Sequence, residues 1–286
     1  MKKLSLQDFR KLRRLVYRGA TPRIYTEWRC TFEGGSAEDF LSVLACYQNE
    51  DGGFGQNESD NWNPNSSPDA TSYAVTQLNQ LMRMYPHAAD KDHPVIRGIL
   101  KYLASGAYAT ETGWLGLASI PSNNDYSHAP WFHYDPAAPP DAVDPQNFVA
   151  FILKYGEADS ALYQKALRIE KTLPKENPIP DLSGYDPSQF ICWEPLPTDV
   201  VDSPDSPLYP IYRDLVEAEL DGIVDRLHTI QALPVPGIDD KADWLDERLI
   251  IGCYPSTCGF FIMQIELLRK FGRLDFSLPV LTGCQV

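Results

Sequence analysis

The sequence predicts an all-α chain of helical hairpins whose long connections gather at one end. Three observations predict it. Apolar residues recur at helical spacing through most of the chain. The apolar/polar alternation of a half-buried strand is sustained nowhere. Short and long connections take turns along the sequence, so that antiparallel helices would bring the long ones to the same end of a stack.

The elements follow in order. Ser5 with Asp8, and Ser36 with Asp39, carry the cap-plus-carboxylate spacing that satisfies free N–H groups at a helix start. They open predicted helices over 5–18 and 36–48. The first is amphipathic, with Leu6, Phe9, Leu12 and Val16 on one face and Arg10, Arg13 and Arg14 elsewhere. Periodicity then predicts helices over 69–84, 93–104, 145–155, 160–172, 212–231 and 256–271. Connections 85–92 and 156–159 are short; 49–68, 105–144, 173–211 and 232–255 are long. Loops beyond about 15 residues are uncommon in compact domains and are usually functional or disordered. These are rich in Trp, Tyr, Phe and Pro, which is not the composition of a disordered linker. Strict alternation also calls for a helix inside 173–211, with Pro187–Trp193 the place for it.

A chain of 286 residues with 43% apolar and 22% charged residues is expected to fold as a single domain, residues 1–286, without a metal or disulfide staple. No apolar run approaches the roughly 18 residues of a membrane span, and the N-terminus lacks a signal-peptide pattern, so an integral membrane segment is not expected and a cytoplasmic location is. The six cysteines have no zinc-site spacing and read as buried reduced thiols. A net charge of −14 argues against nucleic acid as a partner. The charge is uneven: residues 1–29 carry +7 and the remainder −21. This basic N-terminal helical segment is expected to pack on an acidic body, or more sharply to steer an anionic ligand such as a diphosphate.

The segment Val43–Phe54 is an apolar helix ending in Gln48, followed by Asp51-Gly52-Gly53-Phe54. It resembles the QW repeat of the terpene cyclase and prenyltransferase superfamily, with Phe54 where that family usually has Trp. The Gln amide can bond free groups at helix ends while the aromatic ring stacks over it. Weaker copies are Arg97-Gly98 through Gly113-Trp114, and Leu227 through Gln231. The resemblance implies a partial α/α toroid of four or five hairpins. A string around His128-Ala129-Pro130-Trp131 is similar to one in uncharacterised bacterial proteins described only as terpene-cyclase-like.

In class II cyclases of that superfamily an Asp-x-Asp-Asp-Thr motif protonates an alkene. The matching place here is Ser67-Pro68-Asp69-Ala70-Thr71, where Asp69 and Thr71 remain. Asp69 lies at a predicted helix N-terminus, where the dipole favours the ionised form, so a helix cap is its plainer role and a catalytic acid its sharper one. The prenyltransferase zinc ligands are missing; Asp239-Asp240 is followed by Asp243 with Lys241 intervening, in a Pro/Gly-containing loop rather than on the helix face of a class I diphosphate–magnesium motif, and no metal site or cofactor is expected. Asp239, Asp240 and Asp243 read as a solvated loop.

The densest chemistry lies in 125–136, where His128, His133, Asp125 and Asp135 interleave with Tyr126, Trp131, Phe132 and Tyr134. It reads as an aromatic plug, or as a lid with His128 and Asp135 as acid/base groups and Trp131 and Tyr134 as binding platforms. Phe54, Trp62 and Trp193 complete the expected ligand-binding set. Trp62 with Asp60, Trp193 with Glu194 and Asp243-Trp244 also invite a sugar-cleaving reading, in which paired carboxylates such as Asp69 with Asp135 or Glu194 flank a groove. The leading expectation is a small apolar, isoprenoid-like ligand, with acid-initiated cyclisation as its most specific form. A carbohydrate-active enzyme and a non-catalytic scaffold are the alternatives.

Overall fold

A computed structural model describes residues 1–56, 61–173, 182, 196–230 and 255–278. Ten α-helices, three short 3₁₀ helices and one two-stranded pairing account for the regular structure of those residues. The chain divides into two compact units: Met1–Trp28 with Glu176–Val280, and Arg29–Lys175 with Leu281–Val286. No helix among the described residues is long and apolar enough to cross a membrane.

The first unit contains α1 (Leu6–Gly19), most of α2 (Pro22–Phe32), the short α8 (Pro197–Val200), α9 (Tyr209–Thr229) and α10 (Pro255–Lys270). Ser5 caps α1 by accepting the Asp8 N–H at 3.0 Å, a contact worth about 1 kcal/mol. Phe9, Leu12 and Val16 are buried as expected; Leu6 is not, and stands 39% exposed. The reason is the turn ahead of it, where Leu4 takes the core position and pairs with Leu274. The basic segment does meet acid, as its charge suggested. Arg273, with a fully buried side chain, donates to Asp221 and to the Lys2 carbonyl, each at 2.7 Å, and also to Glu217. Lys2 in turn bonds Asp221 and Asp225, and Lys11 and His228 meet at Asp8.

The second unit holds α3 (Ala37–Ala45), α4 (Pro68–Met84), α5 (Pro94–Ala104), α6 (Gln146–Tyr155) and α7 (Ala161–Glu170). Its core is one apolar cluster running from Cys30 and Phe40 through Val75, Leu78 and Ile99 to Phe148 and Ile169. Helix α4 packs on α6, while α5 packs on α6 and α7. In the 105–144 connection, Trp114 and Leu115 (β1) pair antiparallel with Val143 and Ala142 (β2). Of the two thiols described here, Cys30 is buried, but Cys46 is exposed because it closes α3 on the helix's outer side.

The Gln48–Phe54 turn explains why its sequence is unusual. Gln48 Nε2 donates to Gly52 O at 2.9 Å and to Val95 O, in the first turn of α5, at 3.0 Å. Gly52 has φ +92°, and a Cβ there would lie 2.1 Å from the Gly98 carbonyl oxygen. A Cβ on Gly98 would lie 2.2 Å from Gln48 Nε2. Two glycines thus let a turn lie flat on a helix, with the amide as the fastener. Phe54, completely buried, donates its N–H to Thr71 Oγ1 at 3.0 Å and so ties the turn to the start of α4.

Candidate functional site

Asp69 stands in the first turn of α4. The expected cap is its neighbour two residues back: Ser67 Oγ accepts the Ala70 N–H at 3.2 Å. Asp69 is therefore not the cap, and the backbone N–H groups of Leu117 and of Asp69 itself favour the charged form of its carboxyl. Its Oδ2 oxygen is shielded from solvent and has no hydrogen-bond partner among the described residues. Burial, and then the negative charge of Asp141, push the Asp69 carboxyl up from 3.8 to about 7. The helix N-terminus was expected to hold this group ionised. Desolvation outweighs it, because a helix end offers a fraction of a charge while burial strips away the whole hydration shell.

Asp141 reaches this place through the 105–144 connection. Its N–H donates to Ser119 Oγ at 2.6 Å, its carbonyl accepts the Gly116 N–H at 2.9 Å, and its Oδ1 accepts the Ala142 N–H at 2.9 Å. Gly116 is what makes room: a Cβ there would fall 2.1 Å from Asp141 Oδ2. Asp141 is exposed while Asp69 is largely covered. Two carboxyl groups in unlike environments are thus brought together across 72 residues of sequence.

Buried aromatic residues line the same unit. The Tyr102 phenol is buried without a partner, and burial, Asp51, Tyr108 and Asp69 all push its pKa up. Tyr108 holds a left-handed backbone, φ +55°, an unfavourable conformation for a non-glycine residue. The buried Trp114 packs edge-on against Phe148 at 4.9 Å, and Lys165 Nζ sits 4.5 Å from its ring centroid.

The two long connections of this unit do meet. Asn61 bridges His128, the Trp62 N–H donates to Ser127 O at 2.9 Å, and Asn63 Nδ2 donates to Asn123 Oδ1 at 3.4 Å. Asn123, fully buried, holds the Phe132 carbonyl at 2.7 Å. Upon this scaffold Trp62, Tyr126 and Trp131 are 49%, 38% and 42% exposed. These are large aromatic surfaces open to solvent, beside the segment that carries Asp141.

The remaining predicted residues fall out differently. His128 Nδ1 donates to the Tyr126 carbonyl at 2.6 Å, and the ring stacks on His133 at 5.7 Å. Tyr134 is fixed by two backbone bonds to the Asn124 side chain. Asp135 is an exposed turn residue whose Oδ1 accepts the Ala137 N–H at 2.8 Å. The carboxylate whose charge acts on Asp69 is Asp141 and not Asp135, which is an exposed residue bonded to its own turn. Phe54 is core rather than ligand surface. Trp193, Glu194, Asp60, the helix expected near Pro187–Trp193 and the Asp239–Trp244 loop lie outside the described residues.

The chain matches no protein-family model, no curated protein and no solved structure.

Proposed function

We propose that the second unit carries an acid–base site that cleaves a glycosidic bond, with Asp69 as general acid and Asp141 as the opposing carboxylate. The carrying observation is the unpartnered, solvent-shielded Oδ2 of Asp69 set against the exposed Asp141. A covered carboxyl raised to about 7 is protonated in about half of the molecules at neutral pH and can give that proton to a leaving oxygen. An exposed carboxylate beside it can serve as base or nucleophile, the division of labour that glycoside cleavage needs. Trp62, Tyr126 and Trp131 offer the flat apolar faces on which sugar rings stack.

The apolar-ligand reading rests on a different observation, the Gln48 turn, whose bonds to Gly52 and Val95 fit the role of a QW-type fastener. It supports an α/α toroid in which α4 and α6 form an inner layer and α5 and α7 an outer one. It lends less to cyclisation. Protonating an alkene requires an acid much stronger than one poised near 7, whereas a glycosidic oxygen is protonated as its bond breaks.

Leaving-group dependence tests the proposal. Purified protein is assayed on neutral and acidic oligosaccharides and on their 4-nitrophenyl glycosides. Asp69→Asn should cut cleavage of oligosaccharides by roughly 10²- to 10⁴-fold, and affect the nitrophenyl glycosides, which leave without a proton, far less. Equal losses on both substrates, or no cleavage of either by the unaltered protein, would count against it.

A further inference from the structure

The outer face of α1 carries a row of exposed cations. Arg10, Arg14 and Arg18 stand one turn apart on it, all exposed, at successive steps of about 6 Å along the axis. None of the three makes an ion pair or hydrogen bond among the described residues, unlike Lys2 and Lys11 on the same segment. Leu6 and Tyr17, 39% and 42% exposed, lie on the same face. Arg13 is already engaged, its guanidinium 4.5 Å from the Tyr17 ring centroid. Arg and Tyr beside an exposed aliphatic residue is the composition that protein interfaces favour.

The same unit carries the complement. Asp202, Asp205 and Asp214 are exposed along the approach to α9 and its first turns, and they too make no ion pair or hydrogen bond among the described residues. Ile211, 70% exposed, stands among them. Three free guanidinium groups with Leu6 and Tyr17, and three free carboxylates with Ile211, are opposite in sign; Arg213, exposed on the same acidic surface, is turned to the Tyr209 ring at 5.5 Å. Among the described residues they do not pair with one another.

We propose that they pair between chains, the arginine face of α1 in one copy seating on the 202–214 surface of a second. A twofold axis would then form the contact twice. A polyanion is the weaker occupant, because the protein's own charge of −14 repels nucleic acid and anionic lipid at long range. Guanidinium groups can grip carboxylates in pairs of parallel hydrogen bonds.

Sedimentation velocity on the full chain tests this at low salt, about 20 mM NaCl, and again at about 0.5 M, where charges more than a few ångströms apart are screened. The unaltered protein should sediment as a dimer at low salt and shift toward monomer at high salt. Arg10→Glu with Arg14→Glu should be monomeric in both, and so should Asp202→Lys with Asp205→Lys. An equimolar mixture of the two variants should recover the dimer. That mixing step separates lost complementarity from misfolding, since misfolded chains do not regain a specific partner. A monomer at low salt, a dimer untouched by either variant, or variants that fail to reassociate would overturn the proposal. So would a monomer that binds a single-stranded oligonucleotide or anionic vesicles through Arg10 and Arg14.

Discussion

The molecule holds two buried carboxyl groups pushed to the same place for the same first reason, and they differ in what surrounds them. Glu219 in α9 and Asp69 in α4 are both lifted to about 7, above all by burial. Both oxygens of Glu219 are spoken for: Oε2 accepts the Thr198 N–H at 2.9 Å and Oε1 the Thr198 hydroxyl at 2.7 Å. Its work is to hold α8 on α9. Asp69 has the backbone N–H groups of Leu117 and of itself favouring its charged form, while its Oδ2 has no hydrogen-bond partner among the described residues and the charge of Asp141 acts against it. A perturbed pKa by itself therefore marks no function. The unpartnered oxygen and the second carboxylate distinguish the poised acid from the tether.

The largest expected effect breaks the comparison at its centre. Asp69→Asn should abolish most oligosaccharide cleavage while leaving the fold intact, whereas Glu219→Gln should leave the rate per folded molecule unchanged. Equal losses in activity per folded molecule, measured by circular dichroism and turnover together, would make the two carboxyls alike after all.

Stability should separate them in the opposite sense. Thr198→Val removes a hydroxyl donor from buried Glu219 and is expected to cost about 1–3 kcal/mol in denaturant unfolding. Gly116→Ala, which drives a methyl into Asp141, should chiefly lower activity and only modestly lower the midpoint.

The pH dependence follows from the same two groups. Each carboxyl binds its proton more tightly folded than unfolded, from 3.8 or 4.5 up to about 7. Between those values the folded state holds more protons, so stability falls as pH rises through that window. Melting temperature should therefore decline from about pH 5 toward pH 8. Asp69→Asn and Glu219→Gln should each flatten part of that decline. A melting curve independent of pH over this range in the unaltered chain would deny both shifts.

The smallest effect sharpens the scaffold. Gln48→Ala removes two hydrogen bonds to Gly52 and Val95, and should cost about 1–2 kcal/mol with little change in activity.

Much of the fold was legible in the sequence, and the reason is local. Helical periodicity placed eight helices within a few residues of their observed bounds, from 5–18 against Leu6–Gly19 to 256–271 against Pro255–Lys270. Ser5 and Ser36 cap where their spacing said they would. Helix α2 escaped separate notice because Thr21-Pro22 starts a new helix inside what reads as one basic segment. The site was only half legible. Asp69 stood out as a motif remnant, and the meeting of the connections 49–68 and 105–144 followed from their lengths. Asp141 did not stand out, since nothing near Pro140-Asp141 announces that it closes on a residue 72 positions earlier. Asp135, in a denser run of His and aromatics, drew the attention instead. The balance between burial and helix dipole at Asp69 is likewise a property of the packed state, set by Leu117 and Asp141.

A carboxyl-carbon NMR titration of Asp69, assigned by its loss in Asp69→Asn, addresses the central claim most directly. The account expects a midpoint near 7 in the unaltered protein, and a lower one in Asp141→Asn, where the neighbouring charge is removed. A midpoint in the ordinary range for aspartate, unmoved by Asp141→Asn, would contradict it.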